Sequence, residues 1–197
     1  MRAARRLAFV AACLVVLGAH AQPVALQGLK LVDQQRQPLT AATVQRQVVL
    51  LHFVFTTCSS TCPLQVRELA EVHGSLPDDV RRQVRFLSVS VDPLQDTPAS
   101  LGDFARRMGA DRPGWHFATG APAQIEQLLN RMQVMDSRKP NPKPEDHRTS
   151  LYLFNATGTL VQRYGGVPVD RPRLVAEITQ VARLPAAAVA AAATPRH

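Results

Sequence analysis

Apolar residues occur along the chain in runs of strand length that alternate with longer, mixed segments. Residues 47–55, Gln-Val-Val-Leu-Leu-His-Phe-Val-Phe, form a mainly apolar and β-branched run, which is typical of a strand covered on both faces. Residues 84–91 mix valine and phenylalanine with small polar residues and predict a second strand. Shorter apolar runs predict three more strands, at residues 115–119, 151–154 and 159–164.

The segments between these runs predict helices. Pro63 is suited to the first position of a helix, because its missing N–H needs no partner there. Residues 64–76 then carry leucine and valine at steps of three to five residues and end near a glycine and a proline. Further helices are predicted at residues 98–108, 122–132 and 172–184.

The order of these elements indicates the fold class. Residues 155–158, Asn-Ala-Thr-Gly, separate the last two strands and are typical of a hairpin turn, whereas three prolines in residues 139–144 predict a loop. Strands that alternate with helices, followed by a C-terminal hairpin and helix, predict an α/β protein with a mixed central sheet flanked by helices. This is the pattern of the thioredoxin-like fold.

The N-terminal 21 residues have the layout of a secretory signal. Three arginines precede an apolar stretch at residues 7–18, and Ala-His-Ala follows at residues 19–21. The apolar stretch is shorter than the roughly 20 residues that cross a membrane, so we expect a cleaved signal and no stable membrane span. The predicted division is a signal at residues 1–21, one domain at residues 22–184 and an Ala-rich disordered tail at residues 185–197.

Charge argues against a role in binding nucleic acid. The formal net charge is +8, and it becomes +5 when Arg2, Arg5 and Arg6 leave with the predicted signal. The other basic residues are scattered along the chain, whereas nucleic-acid binding calls for a clustered basic face and stacking aromatics.

The most informative local feature is a pair of cysteines, Cys58 and Cys62, where the first long strand gives way to a helix. Residues four apart in a helix hold their Cβ atoms about 5–6 Å apart, whereas a disulfide needs about 3.5–4.5 Å. If Cys58 lies in the loop before the helix, this gap can adjust. The pair could then close a disulfide when oxidised or hold a metal ion when reduced, and the helix N-terminus favours the thiolate form in both uses. A small structural disulfide is the alternative.

A third ligand would separate metal binding from disulfide exchange, and His147 is the candidate. It precedes the strand at residues 151–154, a position that faces the active-site turn in thioredoxin-like folds. A surface or core histidine is the alternative. Asp146 could orient His147 or simply be solvated. Asp92, at the end of the second strand, could act at the same edge or serve only as a turn residue before Pro93.

Four segments resemble the Sco/SenC proteins, which assist assembly of cytochrome oxidase. Residues 53–63, Phe-Val-Phe-Thr-Thr-Cys-Ser-Ser-Thr-Cys-Pro, are similar to the copper-binding turn of that family. Three further matches follow in order: residues 88–93 with 96–98, residues 115–120, and Asp146-His147 with Tyr152, Leu153 and Gly158. The resemblance spans about residues 26–184. It implies that Cys58, Cys62 and His147 bind one copper ion per monomer.

The ligand types agree with copper. Soft thiolates select Cu(I), and one imidazole suits both Cu(I) and Cu(II). Zinc is the main competitor, but it usually takes four ligands, or three and a water. Two features depart from the commoner family pattern: Ser59 stands where many relatives have proline, and a signal that we expect to be cleaved stands in place of the usual membrane anchor. Neither removes a ligand, and both bear on which acceptor is served.

The resemblance implies a periplasmic copper metallochaperone that serves a copper-acceptor protein, a cytochrome c oxidase subunit or a related copper enzyme. The alternative is a thiol-disulfide oxidoreductase that reduces the cysteines of the acceptor. The two differ in whether His147 is needed. A peroxidase-like enzyme is a third reading on grounds of fold, but no peroxide-activating arginine is evident beside Cys58.

Overall fold

The computed structural model describes residues 24–136 and 138–184. The predicted signal at residues 1–21 and the predicted tail at residues 185–197 lie outside the described residues. Within the described ranges, no helix has both the length and the apolar character needed to cross a membrane.

The described residues form seven strands and five α-helices. Two short 3₁₀ turns accompany them, at Val24–Leu26 and Pro144–Asp146. The order along the chain is β1 (Leu31–Asp33), β2 (Pro38–Leu39), β3 (Val48–Val54), α1 (Thr61–Ser75), α2 (Asp78–Arg81), β4 (Val84–Ser90), α3 (Pro98–Arg107), β5 (Trp115–Gly120), α4 (Pro122–Met132), β6 (Leu151–Phe154), β7 (Leu160–Tyr164) and α5 (Arg171–Arg183).

The strands form one mixed sheet in the order β2-β1-β5-β4-β3-β6-β7. Its centre is parallel, because β4 lies between β3 and β5 and runs in the same direction as both. The remaining pairs are antiparallel. Every residue of β3 is buried, as expected for a continuous apolar strand with cover on both faces.

Helices cover both faces of the sheet. Phe86 packs against α1 and lies beside Leu50 of β3. Tyr152 donates a hydrogen bond to the carbonyl of Met132 at the end of α4 and lies beside Leu51 of β3. Because consecutive residues of a strand point to opposite faces, α1 and α4 lie on opposite sides. Helix α5 packs against α1, and α3 packs against β5. The predicted fold class, a mixed sheet flanked by helices, is confirmed.

The predicted elements agree with the structure where the apolar pattern is long. Helix α4 and strand β6 have the predicted bounds. The predicted turn at residues 155–158 joins β6 to β7: the Asn155 side chain accepts hydrogen bonds from the amides of Thr157 and Thr159, and Gly158 adopts a φ of +78°. Strands β1 and β2 and helix α2 were not predicted, since elements of two to four residues leave no periodic pattern.

The predicted start of the first helix is wrong. Helix α1 begins at Thr61, so that Pro63 is its third residue rather than its first. The physical reason is that none of the first-turn amides has a partner inside the helix, which makes proline acceptable at any of these positions. Cys62 consequently belongs to the first helical turn.

Candidate metal centre

The two cysteines lie on either side of the junction between loop and helix. Cys58 is in the loop after β3, is partly exposed, and donates its backbone N–H to the carbonyl of Phe55 at 3.2 Å. Cys62 is in the first turn of α1 and is only 1% exposed. The backbone N–H of Cys62 donates to the Cys58 sulfur at 3.4 Å, and both thiols are free. The loop therefore brings the two residues together, as the sequence predicts.

The two thiols differ in acidity. Partial burial acts to raise the pKa of Cys58, but hydrogen bonds from the backbone of Cys62, Ser60 and Thr61 outweigh it, and the net pKa is lowered. Burial is the main reason that the pKa of Cys62 is raised to about 12, and the neighbouring Cys58 adds to the shift. Cys58 is thus the thiol that ionises first. Cys62 gives up its proton when a metal ion or a sulfur partner takes the proton's place.

His147 follows the 3₁₀ turn at Pro144–Asp146 and is 9% exposed. Its Nδ1–H donates to the carbonyl of Pro144 at 2.6 Å, and its ring meets the ring of Phe55 edge to face at 5.7 Å between centroids. Burial lowers the pKa of the imidazole, which favours the neutral ring, although nearby carbonyls partly oppose this effect. Nε2 is buried and has no hydrogen-bond partner among the described residues. Nε2 therefore has an electron pair that no hydrogen bond uses, on a ring whose orientation is fixed through Nδ1.

Cys58 and His147 line the same pocket of about 200 Å³, with Thr149 and Glu145 also in its wall. Cys62 is not part of the lining and lies behind Cys58 in the first turn of α1. In the described part of the chain, no three His, Cys, Asp or Glu side chains are already grouped closely enough to hold a metal ion. Coordination by the three predicted ligands would require their side chains to close around the ion.

The two predicted supporting carboxylates have other contacts. Asp146 accepts hydrogen bonds from the Lys139 ammonium and from the Lys143 backbone, while the carbonyl of Pro144 holds His147. Asp92 is partly buried, and its pKa is raised by burial and by the nearby negative charges of Asp96 and Glu145. The roles suggested for Asp92 and Asp146 stay predictions.

Asp96, which is not among the predicted site residues, holds in place the loop between β3 and α1 that carries Cys58, called here the thiol loop. Its carboxylate is 2% exposed and accepts hydrogen bonds from the backbone N–H and hydroxyl of Thr56, the latter at 2.5 Å. It also accepts the Ser90 hydroxyl at 2.6 Å. The loop before Cys58 is thereby fixed to the end of β4. In the sequence, Asp96 belongs to a segment that resembles the Sco/SenC proteins and to a turn, and neither distinguishes a buried acceptor from a solvated one.

Gln65 of α1 holds the segment that carries His147. Its amide Nε2 donates to the carbonyl of Thr149 at 2.6 Å and to that of Gly166 at 2.9 Å. Because Nε2 is the donor, Oε1 accepts Nδ1–H of His52 at 3.2 Å. Thr149 lies two residues after His147, so this buried amide connects the helix of Cys62 to the segment that carries the predicted nitrogen ligand. Glutamine on a helix gives no sequence sign of this role.

The hydrogen-bond chain continues into the core. His52 uses its proton toward Gln65, so its Nε2 accepts the hydroxyl of Ser88 at 2.6 Å. The oxygen of Ser88 in turn accepts Nε1–H of Trp115 at 2.8 Å. Each of these buried polar groups has a partner, which is the condition for burying them at low cost.

The fold and this site define a thioredoxin-like protein in which a dithiol turn at a helix N-terminus shares a pocket with a buried imidazole. The chain belongs to the SCO1/SenC family, because the family model matches residues 21–183.

Relatives and solved structures support this assignment. A Stutzerimonas stutzeri protein to which copper binding is attributed is 33% identical over 139 residues, or 69% of this chain and 67% of the relative. Bradyrhizobium japonicum ScoI, solved with copper bound, has a TM-score of 0.64 at 23% identity over 77% of this chain and 96% of that chain. BsSco, a Sco-family cytochrome c oxidase assembly protein with a disulfide switch, has a TM-score of 0.68 at 23% identity over 85% of this chain and 96% of that one. The solved structures share the fold.

Proposed function

We propose that this chain binds one copper ion through Cys58, Cys62 and His147 and transfers it to an acceptor protein during assembly of a copper enzyme. The observation that carries the proposal is the buried Nε2 of His147, which has no partner among the described residues and belongs to a ring in the pocket that Cys58 lines. A buried nitrogen without a partner is costly, and a metal ion would satisfy it.

The donor set fits copper in both oxidation states. Two thiolates are soft ligands that suit Cu(I), and a neutral imidazole adds the nitrogen that Cu(II) prefers. The lowered pKa of Cys58 supplies one thiolate readily, while copper must displace the proton of Cys62. The copper bound to Bradyrhizobium ScoI supports the same cargo for this chain.

Transfer is supported by the position of Cys58. It lies on a loop, is partly exposed and lines the pocket, so a thiolate of an acceptor could reach a copper ion bound there. BsSco belongs to a family of cytochrome c oxidase assembly proteins, which supports a cytochrome c oxidase subunit as the acceptor. The signal-like residues 1–21 support export to the periplasm as the place of action.

A second candidate function is thiol-disulfide exchange with the acceptor. It is favoured by the lowered pKa of Cys58, which makes this thiol the nucleophile, and by Cys62 beside it as the resolving thiol. This chemistry uses the two sulfurs alone. The requirement for His147 therefore separates the two functions.

The test is a copper titration of the reduced chain, of its oxidised form and of His147→Ala. Reduced chain should bind one copper, and a Cys58–Cys62 disulfide should abolish tight binding because both sulfur ligands are consumed. In His147→Ala, Cu(II) affinity should fall sharply and Cu(I) affinity less, since two thiolates can still hold Cu(I). Thiol titration should show that this variant still forms the disulfide.

His116→Ala is the matched control, because it removes an imidazole that does not line the pocket of Cys58 and His147, called here the thiol pocket. It should leave copper binding of both oxidation states unchanged. Equal affinity in oxidised and reduced chain would refute the sulfur ligands. Unchanged Cu(II) affinity in a folded His147→Ala would refute the nitrogen ligand and leave thiol-disulfide exchange as the better function.

A further inference from the structure

A second and larger pocket, of about 800 Å³, lies at the other end of the parallel strands. Its wall includes Arg85, the second residue of β4, and Gly114, which precedes β5. The thiol loop instead follows the end of β3. Since β3, β4 and β5 are parallel, the two pockets occupy opposite ends of the central sheet.

Four arginines line this pocket: Arg81, Arg82, Arg85 and Arg112. Within the described residues, only Arg81 pairs with a carboxylate, that of Asp78. Backbone carbonyls hold two of the other guanidinium groups. Arg85 donates to the carbonyls of residues 82 and 84, and Arg112 donates to those of residues 70 and 109. Carbonyl contacts fix a guanidinium but do not neutralise it, so the pocket keeps an uncompensated positive charge.

The one carboxylate among the described lining residues is already engaged. Asp33 is 3% exposed, and one of its oxygens lies 3.1 Å from Nδ1 of His116. The other oxygen accepts hydrogen bonds from the backbone amides of Gln35 and Gln37. Asp33 therefore holds the β1–β2 turn, and its single negative charge is outnumbered by the three arginines that have no carboxylate partner among the described residues.

Of the two histidines in the pocket wall, His73 is the buried one. It lines the same pocket and is 4% exposed, with its ring against those of Phe86 and Trp115. Its Nδ1 has no hydrogen-bond partner in the described part of the chain. Burial and the charges of Arg112 and Arg81 lower the pKa of His73 to about 4, so the ring is neutral and adds no positive charge of its own.

We propose that this pocket binds a small soluble molecule that carries phosphate groups. Guanidinium groups present paired N–H donors that match phosphate oxygens, and fixed guanidinium groups lose little freedom on binding. A volume of about 800 Å³ falls within the range of small-molecule sites, roughly 300–1,000 Å³. Pro38, Leu39 and Pro113 add an apolar wall for the organic part of such a molecule. The proposal does not depend on copper binding.

The test is calorimetric titration of the purified chain with pyrophosphate. One molecule should bind per chain, and affinity should decrease as salt increases. The Arg82→Gln/Arg85→Gln variant should bind at least about ten-fold more weakly, because it loses two charged donors. The control variant Arg67→Gln/Arg107→Gln removes the same charge from exposed residues outside the pocket and should keep nearly the full affinity. Thermal unfolding of both variants verifies that each is folded.

Two results would overturn the proposal. Equal weakening in the pocket variant and the control variant would mean that pyrophosphate responds only to overall charge. Binding to vesicles of phosphatidylcholine and phosphatidylglycerol without binding of pyrophosphate would mean that the arginines contact a lipid surface and not a soluble ligand. A loss of pyrophosphate binding confined to the pocket variant would support the proposal.

Discussion

Cys58 and Cys62 are four residues apart, but their surroundings give them different chemistry. Hydrogen bonds from the backbone stabilise the thiolate of Cys58, whereas the sulfur of Cys62 is buried behind it. A thiolate reacts and a thiol does not, so the order in which the two sulfurs react is built into the turn. Cys58 is positioned to attack or to exchange ligands, and Cys62 is positioned to follow.

Alkylation with iodoacetamide should reveal this difference. The variant Cys62→Ser, which keeps Cys58, should react at neutral pH at least about ten times faster than Cys58→Ser, which keeps Cys62, because the latter thiol is protonated and buried. Mass spectrometry of timed samples gives both rates. In denaturant the two variants should react alike. Equal rates in the folded state would contradict the assigned acidities.

At the scale of elements, the shape of the site depends on two buried side chains, each of which joins segments that are distant in the sequence. Asp96 fixes the thiol loop to the end of β4, and Gln65 fixes α1 to the segment after His147. Neither residue lines the thiol pocket. The positions of the predicted ligands therefore depend on buried hydrogen bonds made by residues outside the pocket lining.

Replacing Asp96 tests this dependence. Asp96→Ala would leave the amide and hydroxyl of Thr56 and the hydroxyl of Ser90 without their acceptor, and we expect a loss of about 2–4 kcal/mol in the free energy of unfolding. Asp92→Ala, which removes a partly exposed carboxylate from the same loop, should cost less than about 1 kcal/mol. Urea unfolding of both variants measures the difference. A similar cost for both would contradict the anchoring role of Asp96.

The sequence was sufficient for elements whose pattern is local. The run of β3, the bounds of α4 and the turn after Asn155 follow from residues within a few positions of one another. The start of α1 was misplaced, because proline fits several positions of a first turn. The bond from Asp96 to Thr56 spans 40 residues and that from Gln65 to Thr149 spans 84, and no local pattern encodes such pairings.

The candidate site shows the same division between local and distant information. The thiol pair was evident from its spacing and from its place before a helix. His147 was the candidate from its place before the strand at residues 151–154, and the resemblance to Sco/SenC proteins then implied it as the third ligand. The pocket lined by Arg81, Arg82, Arg85 and Arg112, called here the arginine pocket, was not predicted, because its residues come from several elements that only the folded sheet brings together. In the sequence, the same arginines look like scattered surface charge.

At the scale of the whole molecule, the buried histidines make stability depend on pH. Burial lowers the pKa of His52 to about 4 from the ordinary 6.5, and it lowers that of His73 to about 4 as well. The unfolded chain therefore binds more protons than the folded chain between these values. The stability that comes from keeping these rings neutral is complete above about pH 6.5 and is lost as the pH falls through about 4.

For His52 alone, the free energy of unfolding should fall by about 3 kcal/mol between pH 7 and pH 4. Urea unfolding at pH 7, 6, 5 and 4 should show a steady loss of stability. His52→Gln, which retains hydrogen-bonding groups toward Gln65 and Ser88, should be less stable at pH 7 but should lose less on acidification. Parallel profiles for the variant and the unmodified chain would show that His52 is not the group that titrates.

The position of Trp115 gives the molecule an internal optical probe. It is the single tryptophan of the sequence, so all indole emission comes from this place in the core. Its ring lies against His73 in the arginine pocket, and its N–H begins the chain of hydrogen bonds that leads toward the segment of His147. Trp115 is buried away from water, so the fluorescence of the unlabelled chain should be emitted at short wavelength. It offers a single signal with which to follow changes at either end of the sheet.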